Sequence, residues 1–185
     1  MDALENIFSR HSVAKMRPDP VPRELVEQLL AAGAQAPNHY RVRPWRFIVV
    51  SGDARVRLGE VMAKSLKQRQ PDAMEQELMR ERARPLRAPV LIAIGVDKPA
   101  EPKVTELENI CAAAAAAENI LLAANALGVG AMWRTGKAAH NPDVKAFLGL
   151  EPDQPLIAFI YVGYPEPGLV PLERPSFEDR STWID

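Results

Sequence analysis

The chain has 185 residues, a formal net charge of −1 and a hydrophobic share of 47%. That length suits one domain with a real core, and the near-cancelling charges exclude a general attraction to nucleic acid. A single cysteine, Cys111, excludes an internal disulfide framework.

The first twelve residues, MDALENIFSRHS, carry charges where a secretory leader needs an apolar run, so a cytoplasmic protein is expected. Asp2 to Ser9 reads as a short helix, capped by Asp2 with Glu5 completing a capping box, and Leu4, Ile7 and Phe8 share one face. Arg10, His11 and Ser12 follow it. A guanidinium, an imidazole and a hydroxyl in a row form a donor-rich patch suited to phosphate; a solvated helix end is the other reading. After RPDPVP, Pro22 opens a second helix with Leu25, Val26, Leu29, Leu30 and Gly33 as its apolar stripe and Gln35, Ala36 and Pro37 as its end. NHYRVRPW, Asn38 to Trp45, is then a polar and aromatic loop that suits an anion, a planar substrate or plain solvent.

Arg46 to Ser51 is a β-branched strand. Asp53 caps a helix running to Arg69, and a charged helix follows over Asp72 to Arg84, its alternating acids and bases marking a solvent face or a lid. Ala88 to Val96 and Leu156 to Gly163 are continuous apolar runs, as expected of strands covered on both faces. Asn141 and Pro142 start a short helix that ends at Gly149. The proline-rich tail from Tyr164 cannot form a core by itself; it frays or lies along another surface, with Trp183 and Ile184 as anchors.

The rest of the chain is arranged around Glu106 to Gly136, ELENICAAAAAAENILLAANALGVGAMWRTG. It begins as a helix apolar nearly all round, the pattern of a buried helix, built from the best helix formers. Glu118, Asn119 and Asn125 argue against a membrane span. Cys111 is expected as a core thiol. Six consecutive alanines let another helix or a planar group approach closely, so the helix is expected to be packed on all sides, in part against a second copy. Gly128 and Gly130 end it. AMWRTG is then either a buried strand with a turn or a strand edge pressed on an aromatic ligand. Strands among helices in this order indicate an α/β or α+β domain with the sheet between helical layers.

Several chemistries are missing. No GxGxxG follows a strand and no GxxxxGK[ST] occurs; GVG at Gly128 follows a helix. His11, His39 and His140 lack zinc-like spacing, so no metal is expected, and no GxSxG offers a nucleophile elbow.

In order, RHS at Arg10 to Ser12, the stretch from Ala36-Pro37 to a QPW-like ending at Trp45, the Ala-rich helix running into AANALGVGAMWRTG, and the closing strand LIAFIYVGYPE resemble the nitroreductase-like flavoprotein family, in particular its compact bacterial members. The resemblance spans nearly the whole chain. It implies an α+β three-layer sandwich, with a mixed or antiparallel sheet flanked by helices and a central buried helix. It further implies a domain-sharing homodimer in which 1–185 form one domain and 165–185 an arm lying on the partner. FMN is then held at the dimer interface and NADH or NADPH is the co-substrate. Hydride passes to the flavin, the nicotinamide leaves, and a small electron-poor acceptor is reduced. By position, Arg10 and Ser12 would hold the FMN phosphate or ribityl chain and His11 would lie near the pyrimidine edge. Gln35 and His39 would come from the other subunit, and Trp133, Arg134 and Thr135 would line the flavin. Ala123, Ala124, Asn125, Ala126, Leu127 and Gly128 would bind the nicotinamide nucleotide. No side-chain acid or base is required for such a transfer, since the cofactor carries it. The chain departs from many members in having Arg41 for Asn and Arg43 for Gln. Another redox reaction on the same flavin, dehalogenation or dehydrogenation, and a cofactor-free dimeric binding protein are the alternative readings.

Overall fold

The structure, a computed structural model, describes residues 1–168 and 174–184. Among these residues six α-helices, α1 Ala3–Ser9, α2 Arg23–Gly33, α3 Asp53–Arg69, α4 Glu75–Arg82, α5 Glu106–Ala126 and α6 Pro142–Phe147, surround four strands, β1 Trp45–Ser51, β2 Val90–Val96, β3 Gly130–Arg134 and β4 Leu156–Gly163. The strands form one sheet in the order β1-β2-β4-β3. Every neighbouring pair is antiparallel, so of the two expected sheet types the antiparallel one is present.

The two apolar runs behave as their composition dictates. A strand sends successive side chains to opposite faces. Val90, Ile92, Ile94 and Val96 of β2, with Ala158, Ile160 and Val162 of β4, therefore point into the layer made by α2 and α5. Leu91 and Ala93, with Phe159 and Tyr161, point into the layer made by α3 and α6. Each fully buried Ile or Leu here contributes about 1.5–3 kcal/mol relative to exposure. The central strands cannot be moved by one residue without exchanging both faces.

Helix ends follow local chemistry. Asp2 accepts from the Glu5 N–H at 2.9 Å and completes the expected box. Asn141 accepts from the Asp143 and Val144 N–H groups at 2.9 and 3.1 Å. α5 has a box the sequence reading passed over, between Thr105 and Glu108. Two expected boundaries are corrected. Asp53 is the first residue of α3, not its cap; Gly52 stands there at φ 53° with no capping side chain. The charged helix expected over Asp72 to Arg84 is only Glu75–Arg82, because Ala73 is bonded to the Gln70 carbonyl in a turn.

For α5 the expectation of a core thiol is also corrected. The sheet-facing side of the helix, including Ala113, Ala116, Ala117 and Ile120, is fully buried. Its other side is open within one chain: Leu107 is 69% exposed, and Cys111 is exposed rather than in the core. With alanine on every side, the helix carries no apolar phase to say which face turns inward. Trp183 and Ile184 are likewise exposed, at 82% and 94%, so they anchor nothing within their own chain. Of the expected 165–185 arm, residues 169–173 and 185 lie outside the described residues.

Candidate functional site

The Arg10 to Ser12 segment is positioned by polar residues of α5. Asn6 donates to the Leu122 carbonyl at 3.0 Å. The Asn125 amide donates to Asn6 Oδ1 at 2.8 Å and to Ser9 Oγ at 3.0 Å. These contacts dock α1 on the last turns of α5, and the chain leaves α1 extended at Arg10, whose N–H still bonds the Asn6 carbonyl. Three residues later the Val13 N–H donates to the Ala131 carbonyl at 3.0 Å, which ties the segment to the free edge of β3. Arg10, His11 and Ser12 are thus held between two fixed points.

The electrostatics there favour an anion. Arg10 Nε lies 3.1 Å from Glu118 Oε1. That approach is out of line with the N–H, and among the described residues Nε is a buried donor with no hydrogen-bond acceptor. Such a group costs free energy until an acceptor reaches it. A second guanidinium stands against the same segment, since Arg174 Nη2 donates to the Arg10 carbonyl. His11 Nδ1 lies 3.3 Å from the Ser9 carbonyl, and Ser12 is exposed. Two guanidiniums, one of them carrying the orphan Nε–H, with an imidazole and a hydroxyl form a donor set that matches a phosphate-bearing group. Arg174 and Glu118 were missed by sequence reasoning. Nothing local marks Arg174, and Glu118 reads only as a charge on an apolar helix.

The second expected group sits elsewhere. His39 Nε2 lies 3.7 Å from Glu108 Oε1, in the loop after α2. Glu108 is ten residues before Glu118, about 15 Å along the helix at ~1.5 Å per residue. Within one chain His39 and Arg10 therefore do not share a site. His39, with Asn38, Leu107, Glu108, Cys111 and Ala112, borders an open cavity of about 500 Å³. The Glu108 carboxyl is held below its usual range, first by the Thr105 backbone N–H, then by the Thr105 hydroxyl and the nearby His39. Gln35 is exposed at the end of α2, its amide 3.4 Å from the Ala31 carbonyl.

This loop is strained. Tyr40, Arg41 and Arg43 have φ of 49°, 57° and 47°, a region that costs a residue with a Cβ about 1–2 kcal/mol. Asn38 holds it by accepting from the Arg43 N–H at 2.9 Å and donating to the Ala36 carbonyl at 3.3 Å. Strain retained in this way clusters at functional sites.

The remaining expected residues divide. Trp133 packs on the α5 side of the sheet, its indole N–H donating to the Ile157 carbonyl at 3.1 Å. Arg134 follows it and leaves β3 on the opposite face, close enough to Tyr161 that its charge opposes the rise that burial gives that phenol's pKa. Their side chains cannot line one surface of one chain, although their backbone and the exposed Thr135 remain at the same strand end. The Ala123 to Gly128 segment is the closed end of α5. Ala124 is fully buried, the Asn125 amide is occupied by α1, and the Leu127, Gly128 and Val129 N–H groups bond back to the helix.

Comparison with known proteins places these features in a family. The nitroreductase family model matches residues 7–164. The chain belongs to the nitroreductase family. Among its relatives is YdjA of Escherichia coli (strain K12), named as a candidate NAD(P)H nitroreductase and 30% identical over 167 residues, 90% of each chain. Among solved structures, a nitroreductase-like family protein from Bacillus cereus superposes with a TM-score of 0.84 at 22% identity, over 100% of this chain and 97% of that one. The FMN-dependent nitroreductase NfnB from Mycobacterium smegmatis, solved with NADPH, superposes with a TM-score of 0.79 at 20% identity, over 99% and 98%. These two likenesses are of fold, a nitroreductase-like α+β sandwich.

Proposed function

We propose that this nitroreductase-family protein is an FMN-dependent NAD(P)H oxidoreductase that reduces electron-poor small molecules and works as a cytoplasmic homodimer. The observation that carries the reading is the anion-ready segment at Arg10 to Ser12, with the buried Arg10 Nε unpartnered among the described residues and Arg174 drawn against it. Family membership and the relatives named for NAD(P)H-dependent reduction support it. When bound, FMN supplies the hydride chemistry.

The chain's own residues supply binding and orientation. Arg10 and Arg174 hold the phosphate by charge-assisted hydrogen bonds, with Ser12 as a further donor. Glu118 keeps the Arg10 side chain in place between visits of the anion. The docking of α1 by Asn6 and Asn125 sets where those groups stand. The strand end at Trp133 to Thr135 borders the same cofactor, through Thr135 and backbone more than through the Arg134 side chain. His39, beside Glu108 and so too far along α5 to reach its own chain's Arg10, serves the partner's site, and Gln35 joins it there. Leu4, Phe8, Leu107 and Leu127, exposed in the single chain, supply apolar surface for that partner; the 165–185 arm extends it. The Ala123 to Gly128 segment orients α1 in this reading and leaves the nicotinamide to the open side of the cleft.

Purified protein should be yellow, dimeric by light scattering, and bleached by NADH or NADPH under anaerobic conditions. A protein that stays colourless after incubation with FMN, or is a monomer with full activity, overturns the proposal.

A further inference from the structure

A carboxylate stands in the site assigned above to a phosphate. Glu118 lies on α5 between Ala117, which is fully buried, and Asn119, whose amide donates to the Ala32 carbonyl of α2 at 3.2 Å. Asn125 returns to the same helix face about two turns later and holds α1 through Asn6 and Ser9. That docking brings Arg10 to Glu118, its Nε 3.1 Å from Oε1. Among the described residues this is the ion pair that Glu118 makes, and it gives no hydrogen bond, since Nε stays unpartnered. The contact is therefore Coulombic, with little directional hold. The Glu118 side chain is 46% exposed, so the pair adds little to stability.

Space decides how an anion arrives. The cavity that Arg10 borders with His11, Leu121 and Asn125 is about 10 Å³, room for about one water and not for a phosphate. A phosphate therefore meets the guanidinium from solvent, where the Glu118 carboxylate already lies. Two anions at one guanidinium repel each other across a few ångströms. We propose that Glu118 is the resident anion of this site: it weakens the hold on a flavin that carries a phosphate, leaves a flavin without one unaffected, and so favours release of the cofactor. This rests on the reading of Arg10 as a phosphate ligand. A Glu118 that only pinned Arg10 in place would act the other way, its loss weakening the hold on FMN.

The test measures Kd for FMN and for riboflavin on the apoprotein by flavin fluorescence, in wild type, Glu118→Gln and Glu118→Asp. Glutamine keeps an oxygen for Arg10 and nearly the helix propensity of glutamate, so the variant folds and differs in charge alone. It should bind FMN about three- to tenfold tighter than wild type, with riboflavin unchanged to within about twofold. The gain should shrink as salt is added, and Glu118→Asp, which keeps the charge, should not show it. An FMN affinity that is unchanged or weaker in Glu118→Gln overturns the proposal, as does an equal gain for riboflavin. Inorganic phosphate, titrated calorimetrically, gives a readout without flavin. If neither flavin binds, the function proposed above fails; tighter phosphate binding by Glu118→Gln still sustains this inference, and equal binding or none overturns it.

Discussion

Gly59 sits where α4 crosses α3, the pair that makes one wall of the molecule, and adding one methyl there tests how closely the two backbones meet. A Cβ built on Gly59 lies 2.3 Å from the Arg82 carbonyl oxygen and 3.1 Å from its carbon. Carbon packs comfortably at about 3.5 Å, so Gly59→Ala forces the end of α4 outward by roughly 1 Å. The obstacle is backbone, so no rotamer change relieves it. The retreat loosens Leu58, Met62 and Leu78, all buried, and stretches the Arg82 bond to Glu60, 2.9 Å long. Overpacking of this kind costs about 1–3 kcal/mol, while exchanging Gly for Ala inside a helix returns about 1 kcal/mol. The expected net loss is about 0–2 kcal/mol, a fall in Tm of up to about 8 °C for a domain this size. Thermal unfolding followed by circular dichroism measures it, and flavin content should stay as in wild type. A Tm that rises, as for a glycine on an open helix face, would show that the close approach is absent.

Arg10→Ala should weaken FMN binding by about 1.5–3 kcal/mol, more than tenfold in Kd by fluorescence titration; Arg174→Ala should act in the same direction. An unchanged Kd in both removes them from the phosphate. Asn141→Ala deletes the acceptor of two N–H groups at the start of α6 and should cost about 1 kcal/mol, or about 2–4 °C in Tm. The pH dependence of Glu108 has a definite sign. Its folded pKa is lowered, chiefly by the Thr105 N–H, so its stabilisation is complete above the ordinary carboxylate range and is lost as pH falls through the lowered value. The Tm gap between wild type and Glu108→Gln should therefore shrink on acidification from neutral pH; a gap constant across the acid range refutes the assignment.

Local pattern and distant contact had separate shares in this protein. The sequence alone identified β2 and β4 as doubly covered strands, because unbroken runs such as LIAFIYVG leave neither face for water. It placed the starts of α1 and α6, since Asp2 and Asn141 cap through bonds two or three residues long. Ordered motifs supplied the family. It could not orient α5: alanine on every side carries no phase, so Cys111 read as a core thiol and is exposed. Nor could it show that Trp133 and Arg134 serve different layers until β3 had a neighbour on each face. The contacts that shape the candidate site join residues far apart in the chain, Asn6 to Asn125, Arg10 to Glu118 and Arg174 to Arg10. Helix periods and caps are short-range consequences of backbone geometry, readable one turn at a time. Which donors converge on one anion is decided only when the sheet fixes where α1 and α5 lie, and no local period encodes that.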